Sequence, residues 1–545
     1  MKKLRFIIII VALCGLNNSF AGTNNHGSKK IDKNSQLLLN TKKLAEEGDA
    51  QSQLQLGDMY YYARNAEMNW DIAYQWYKKA ADQGEKIAEY RLGRMYAYGY
   101  GVTENDLEAV QWLTKAAEQG VVNAQYELGF IYTGGYDKPK DAVTKDVVPV
   151  DFERAFYWYS KAASNGDVES QKNLAGMYDN GKGVGKNTEK SAFWYTQAAN
   201  QGDMLSQQRL AYKYNNGDGV EKDDEKAFFW HFKAAQVGLA DLQYNVGFFY
   251  ANGTGVKKNY KKAYVWYMKA AKQEQSDAQY QLGRMYRYGY GVVKNEKVAL
   301  KWYLQSAENG NSIAQHIMGD VYRGVDDVKA VEWYSKASEK DDAAQYMLGV
   351  MYSEGAGVEK DETIANEWFL KSATLGFVEA QFTLGDRYLH GYGFPKDVEK
   401  AHFWFVKAAA QGNSQSQNNV GVMYATGQVV EQSDELAFQW FSKSAAQGNS
   451  QGQCNLGFLY KNGQGIKQDI DLAFNWFRKA AEQGNPIAQN NLGIMYFKGK
   501  GVSANNDKGR YWMTKAADQG DIEAIQNLKN LSKTTIEITY EPNKE

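Results

Sequence analysis

Cysteine is nearly absent from these 545 residues, with only Cys14 and Cys454 present. A disulfide framework is therefore excluded, and packing must hold the fold together. Proline is almost as scarce, at five, so helices meet few breakers. Histidine also occurs five times, at His26, His231, His316, His390 and His402. None lies in an H-E-x-x-H pattern or pairs with cysteine at metal-ligand spacing, so no metal or other cofactor is expected. An excess of charge is missing too: 63 Lys and Arg face 64 Asp and Glu, a formal net charge of −1. That balance gives no electrostatic basis for nucleic acid or an anionic membrane as the main partner. Beyond the first 21 residues no apolar run nears the roughly 18 residues of a membrane span. What the chain does have is 52 Gly, 39 Tyr and 14 Trp, within a composition 43% hydrophobic and too apolar for disorder.

Residues 1–21 read as a secretory signal. Lys2, Lys3 and Arg5 precede the apolar run Phe6–Leu16, and Ser19 and Ala21 place small residues at −3 and −1 of a cleavage site. Cleavage after Ala21 is expected, leaving Cys454 as the lone thiol. Export to the periplasm is the first expectation, with a secreted or surface-associated protein as the other. Residues 22–34 read as a polar linker and 532–545 as a tail.

The body of the chain is one motif repeated. A marker glycine, usually in Leu-Gly-x-x-Tyr, recurs from Gly57 to Gly493, with Ala175 and Ala211 replacing it in two of thirteen copies. Ten of the twelve steps are 36 residues; the steps 129–175 and 319–349 are 46 and 30. Tyr follows the marker by three in every copy, and Gln precedes it by four in all but one. Thirteen of the fourteen Trp occupy one repeated position. Apolar residues at three- and four-residue steps, as in Ala124, Leu128, Ile131 and Tyr132, predict a helix. Gly six after the marker predicts its left-handed stop, and acidic or polar residues such as Asp223 and Asp469 predict the next helix start. Each unit is thus a helix hairpin that cannot bury both faces alone. Stacking solves that, so the predicted fold is an all-α, right-handed α/α superhelical solenoid of about 13 hairpins over residues 35–531, with capping helices at both ends. The Trp ladder is expected to form the core between units. The short unit 319–349 is expected to separate an N-terminal from a C-terminal array.

The pattern in Ala88, Leu92, Gly93, Tyr96 and Gly99, then Ala109, Trp112, Ala116, Ala117 and Gly120, resembles the Sel-one-like repeat (SLR) family, relatives of tetratricopeptide repeats. The resemblance implies an adaptor: such proteins assemble complexes, serve envelope or secretory processes or, in bacterial pathogens, engage host factors. A cysteine-rich subgroup staples each unit with a disulfide. This chain lacks those cysteines, which puts any hydrolase or penicillin-binding activity of that subgroup in doubt here.

Residue chemistry agrees with a non-enzyme. Gly217-Asp218-Gly219 imitates a phosphate cradle, but such loops recur after helices and lack the Lys-Ser/Thr that would follow. The pairs Asp223-Asp224 and Asp326-Asp327 sit at helix starts, where capping explains them. Variable positions on the first helices are the candidate partner-binding residues. By analogy with tetratricopeptide grooves they face the concave side: Tyr90, Tyr126, Tyr244, Tyr280, Tyr346 and Phe382 three before the marker, with His316 among them. Arg94 and Arg284 follow the marker by one, Arg287 and Arg323 by four. Aromatics and Arg are favoured at protein interfaces, although packing between units explains the same Tyr residues. The expected function is a monomeric, non-catalytic scaffold binding one or more proteins. The alternatives are a host-factor-binding virulence protein at the cell surface and an envelope hydrolase or peptidoglycan-binding protein.

Overall fold

The computed structural model describes residues 33–135 and 148–539. The expected signal peptide and most of the linker lie outside them, as do residues 136–147 of the long insertion. Among the described residues there are 28 α-helices, from Lys33–Glu46 to Ile522–Thr539, and no strand. The all-α helix-hairpin fold is therefore as predicted. The last helix runs past residue 531 to Thr539. A lone strand there would leave its backbone groups unpaired, whereas a continued helix satisfies them.

The helix ends follow the capping chemistry read from the sequence. The Asp469 carboxylate accepts the Leu472 N–H at 2.8 Å, and Asp223 accepts that of Lys226 at 2.9 Å. Gly463 stops its helix at φ 74°, a conformation that disfavours a Cβ.

In the eleven hairpins with a marker glycine, a contact across the hairpin explains it. The residue after the Trp lies flat against the marker glycine: a Cβ on Gly247 would sit 2.6 Å from the Tyr267 ring, and one on Gly283 equally close to Tyr303. Tyr77, Tyr159, Tyr267, Tyr303, Tyr334, Phe405 and Phe477, all at this position, are among the largest fully buried side chains. The Trp ladder itself is shallower than expected. Trp112, Trp158, Trp266, Trp333 and Trp404 are buried, but the other eight repeated Trp are only partly so. The repeated Trp lie at the seam between units, and in ten of the thirteen a Lys three residues on covers the ring, as Lys269 does 4.2 Å above Trp266. The core ring is thus the neighbour of the Trp, because only that position points at the glycine notch.

The repeated glutamine four before the marker joins the units. Gln171 is buried; its amide donates to the Ala163 carbonyl at 3.1 Å, and its own oxygen accepts from Gln201 at 2.9 Å. The same two bonds recur around Gln381, Gln453 and Gln489. Each of these four glutamines therefore ties the end of one hairpin to the end of the next.

The chain divides into two compact units, Met1–Ala234 and Ala235–Glu545. The division falls where a second helix ends at Ala234 and a 3-10 turn, Ala235–Val237, takes over. It does not fall at the short repeat, as the repeat spacing suggests. There Trp333 packs with Tyr303 and Tyr334 packs with Leu348, so the shortened hairpin keeps both its neighbours.

Candidate binding face

The aromatic row three before the marker meets the core ring of its own hairpin. Ring centroids lie 5.7 Å apart for Tyr244 and Tyr267, 5.9 Å for Tyr280 and Tyr303, and 5.5 Å for Tyr346 and Phe369. Phe382 with Phe405 and Tyr126 with Tyr159 are each 6.0 Å apart. His316 takes the same place, 5.5 Å from Tyr334. Tyr90 is buried and the others half-buried, so one edge of each ring packs while the rest faces outward. Burial pushes the Tyr126 hydroxyl up to about 12 and raises that of Tyr244. Both phenols are therefore neutral near pH 7.

The arginines differ in what neutralises them. Arg94 pairs with Glu127 at 3.6 Å and lies 5.3 Å from the Tyr98 ring. Arg287 pairs with Glu296 at 3.8 Å and Arg323 with Glu354 at 3.9 Å. Arg284 bonds the Gln281 side-chain oxygen at 3.3 Å and sits 5.9 Å from the Tyr280 ring. Among the described residues no carboxylate lies within ion-pair distance of it.

The structure adds aromatics that were not singled out from the sequence. They come from one motif present twice, Arg94–Gly101 and Arg284–Gly291, which differ only at Ala97 and Arg287. In the first copy Tyr98 stacks on Tyr100, which rests 4.8 Å from Trp70. In the second, Tyr288 stacks on Tyr290, which rests on Tyr260 at 5.0 Å. Trp70, Tyr98, Tyr288 and Tyr290 are exposed. The near-identity of the two eight-residue runs was the signal that could have found them. The second motif borders a cleft of about 90 Å³ lined by Phe248, Asn252, Tyr260, Tyr267, Gln281, Arg284 and Tyr290. In the other unit a larger hollow of about 450 Å³ lies between Tyr126, Phe130, Phe152, Tyr159, Asn173 and Lys182.

The groups that would serve catalysis are held in structural roles. Asp326 and Asp223 cap helices, and Asp327 accepts the Gly324 N–H at 2.6 Å. Gly219 lies against the Thr188 carbonyl, so its loop follows a neighbouring helix. Burial pushes the Cys454 thiol up to about 12 and lowers His231 to about 4, so neither is ionised near neutral pH. Among the described residues no group of three or more His, Cys, Asp or Glu could hold a metal ion. No described helix is long and apolar enough to cross a membrane.

Comparison with known proteins matches this geometry to a family. No curated protein sequence matches the chain. Among solved structures, c5321, described as a protective antigen present in uropathogenic Escherichia coli strains and displaying an SLR fold, is 30% identical, with 93% of this chain and 98% of that one covered and a TM-score of 0.54. A Sel1 repeat protein from Oxalobacter formigenes is 28% identical over 73% of this chain and 97% of its own, with a TM-score of 0.41. The Sel1 repeat model matches thirteen consecutive segments, from 50–85 to 486–521, each beginning at a first helix. The chain belongs to the Sel1 repeat family.

Proposed function

We propose that this protein is a non-catalytic scaffold that works outside the cytoplasm and binds protein partners through the first-helix face and its loop aromatics. Sel1 repeat proteins are generally scaffolds for protein interaction. The observation that carries the reading here is the pair of exposed platforms, Trp70 with Tyr98 and Tyr100, and Tyr260 with Tyr288 and Tyr290. The exposed faces of these rings leave apolar area in water, and such rings are the anchors that protein interfaces use. Export is supported by the basic start, the apolar run and the small residues before Gly22. A periplasmic site is the first reading. A surface site facing a host is the second, favoured by the likeness to a protective antigen. Covalent capture of neighbours in living cells tests the scaffold. The intact chain should retain specific proteins, and a Tyr288→Ser, Tyr290→Ser variant should lose them while melting at the same temperature. Equal capture by both would remove the second platform from the interface.

A further inference from the structure

The two copies of the Arg-Met-Tyr motif have the same backbone setting but opposite charge bookkeeping. In the first copy Asp58, one residue after its marker, accepts the Tyr77 hydroxyl at 2.6 Å and pairs with Arg91 at 3.2 Å. Glu127, two before the next marker, pairs with Arg94. Two arginines thus meet two carboxylates of the same chain. In the second copy the position of Asp58 is Phe248, that of Glu127 is Ile317 and that of Arg91 is Gln281. The arginine is kept as Arg284 and the buried phenol as Tyr267, but both carboxylates are gone. What remains is the cleft of about 90 Å³, with Arg284, Gln281 and Asn252 as polar lining and the Tyr260–Tyr290 stack at its rim.

We infer that this cleft receives the side-chain carboxylate of an Asp or Glu from an extended segment of a bound protein. The incoming carboxylate accepts the Tyr267 hydroxyl, as Asp58 accepts that of Tyr77, and pairs with the Arg284 guanidinium, as Glu127 pairs with Arg94. Its neighbours along the segment lie across Tyr288 and Tyr290, whose exposed faces offer apolar contact. The cleft has room for a carboxylate group. A charge already half-withdrawn from water and lacking a counter-ion gains most from an external one. The inference rests on the scaffold reading and names the chemistry of its partner.

The test uses the full chain and two libraries of N-acetylated, C-amidated 12-residue peptides, one with a fixed central Glu and one with Gln at that place. The wild type should enrich the Glu library alone. Arg284→Gln should weaken the selected peptides at least tenfold. Phe248→Asp, which installs the internal carboxylate of the first copy, should do the same, whereas Phe248→Asn, of equal size and no charge, should bind more tightly than Phe248→Asp by a similar factor. Peptides that bind equally with Glu or Gln, or that ignore Arg284→Gln, would overturn the carboxylate site and leave the scaffold intact. No binding from either library would count against both readings.

Discussion

Trp266 and Arg284 show how one hairpin separates folding residues from surface residues. Trp266 is buried at the seam and Tyr267 fills the notch at Gly247, so replacing either by Ala opens a cavity. Each should lower stability by about 3–5 kcal/mol, with Tyr267→Ala at least as damaging as Trp266→Ala. Because each hairpin touches only its neighbours, calorimetry should then resolve more than one unfolding step. Arg284→Ala with Arg287→Ala should shift stability by less than about 1 kcal/mol yet weaken partner binding by more than about 1 kcal/mol. A pair of Arg substitutions that unfolded the chain like Trp266→Ala would return these side chains to the core. His316 is a different case. It bonds the Asp341 carboxylate at 3.1 Å with Asp320 at 3.7 Å, and the Asp341 bond raises its pKa. Burial pulls the Asp341 pKa up, but the His316 bond and the helix N–H groups it caps outweigh that and leave it lowered. A raised imidazole stabilises the fold fully below its unfolded pKa, about 6.5, and the gain fades as pH rises through the folded value. The lowered carboxylate acts at the other end, its gain fading as pH falls below about 4. His316→Gln should therefore cost about 1–2 kcal/mol at pH 5–6 and clearly less at pH 9, read from denaturation at both values. A deficit independent of pH would assign His316 to ring packing on Tyr334 alone.

At the scale of elements, the glutamine ties decide how evenly one hairpin is joined to the next. Gln345 breaks the series. Its amide donates to the Ser338 carbonyl at 2.7 Å, but its buried oxygen has no hydrogen-bond partner. Thirty residues on, where Gln201, Gln411 and Gln483 stand in other hairpins, this chain has Leu375, which is 65% exposed. An unsatisfied buried acceptor costs free energy that a donor would recover. Leu375→Gln should raise stability by about 1 kcal/mol and slow amide exchange in the helices Asp342–Glu354 and Glu362–Leu375. Unchanged exchange would show that the tie acts in specificity and not in stability. The short hairpin shifts only the first bond, from eight residues back to seven; the second is missing because the in-register position holds Leu375.

At the scale of the molecule, thirteen hairpins in two compact units carry the whole body of the chain. The first 21 residues lie outside that repeat pattern, and under the proposed function their basic start and apolar run are an export signal. Sequencing the mature N-terminus from an envelope fraction should begin at Gly22. An intact Met1 on protein from the cytoplasmic fraction would refute export and with it both proposed locations.

Repeat spacing, helix faces and capping residues are local, so the hairpins, their number and their ends could be read from the residues alone. Asp469 caps a helix because the N–H it accepts belongs to Leu472, three positions on, and Gly463 stops a helix because it has no Cβ. The Leu-Gly marker and the repeated glutamine were equally visible, but their purposes were not. Each acts on a residue about twenty to thirty positions away: Gly247 on the Tyr267 ring, Gln171 on Gln201. Depth was also decided in three dimensions, since Trp266 and Tyr267 are adjacent in the chain and only their directions set one at the seam and the other in the notch. The same holds for Arg94 and Arg284. One shared motif carries both, and it takes the folded neighbours Glu127 and Ile317 to make the first self-neutralised and to leave the second open to a carboxylate from outside.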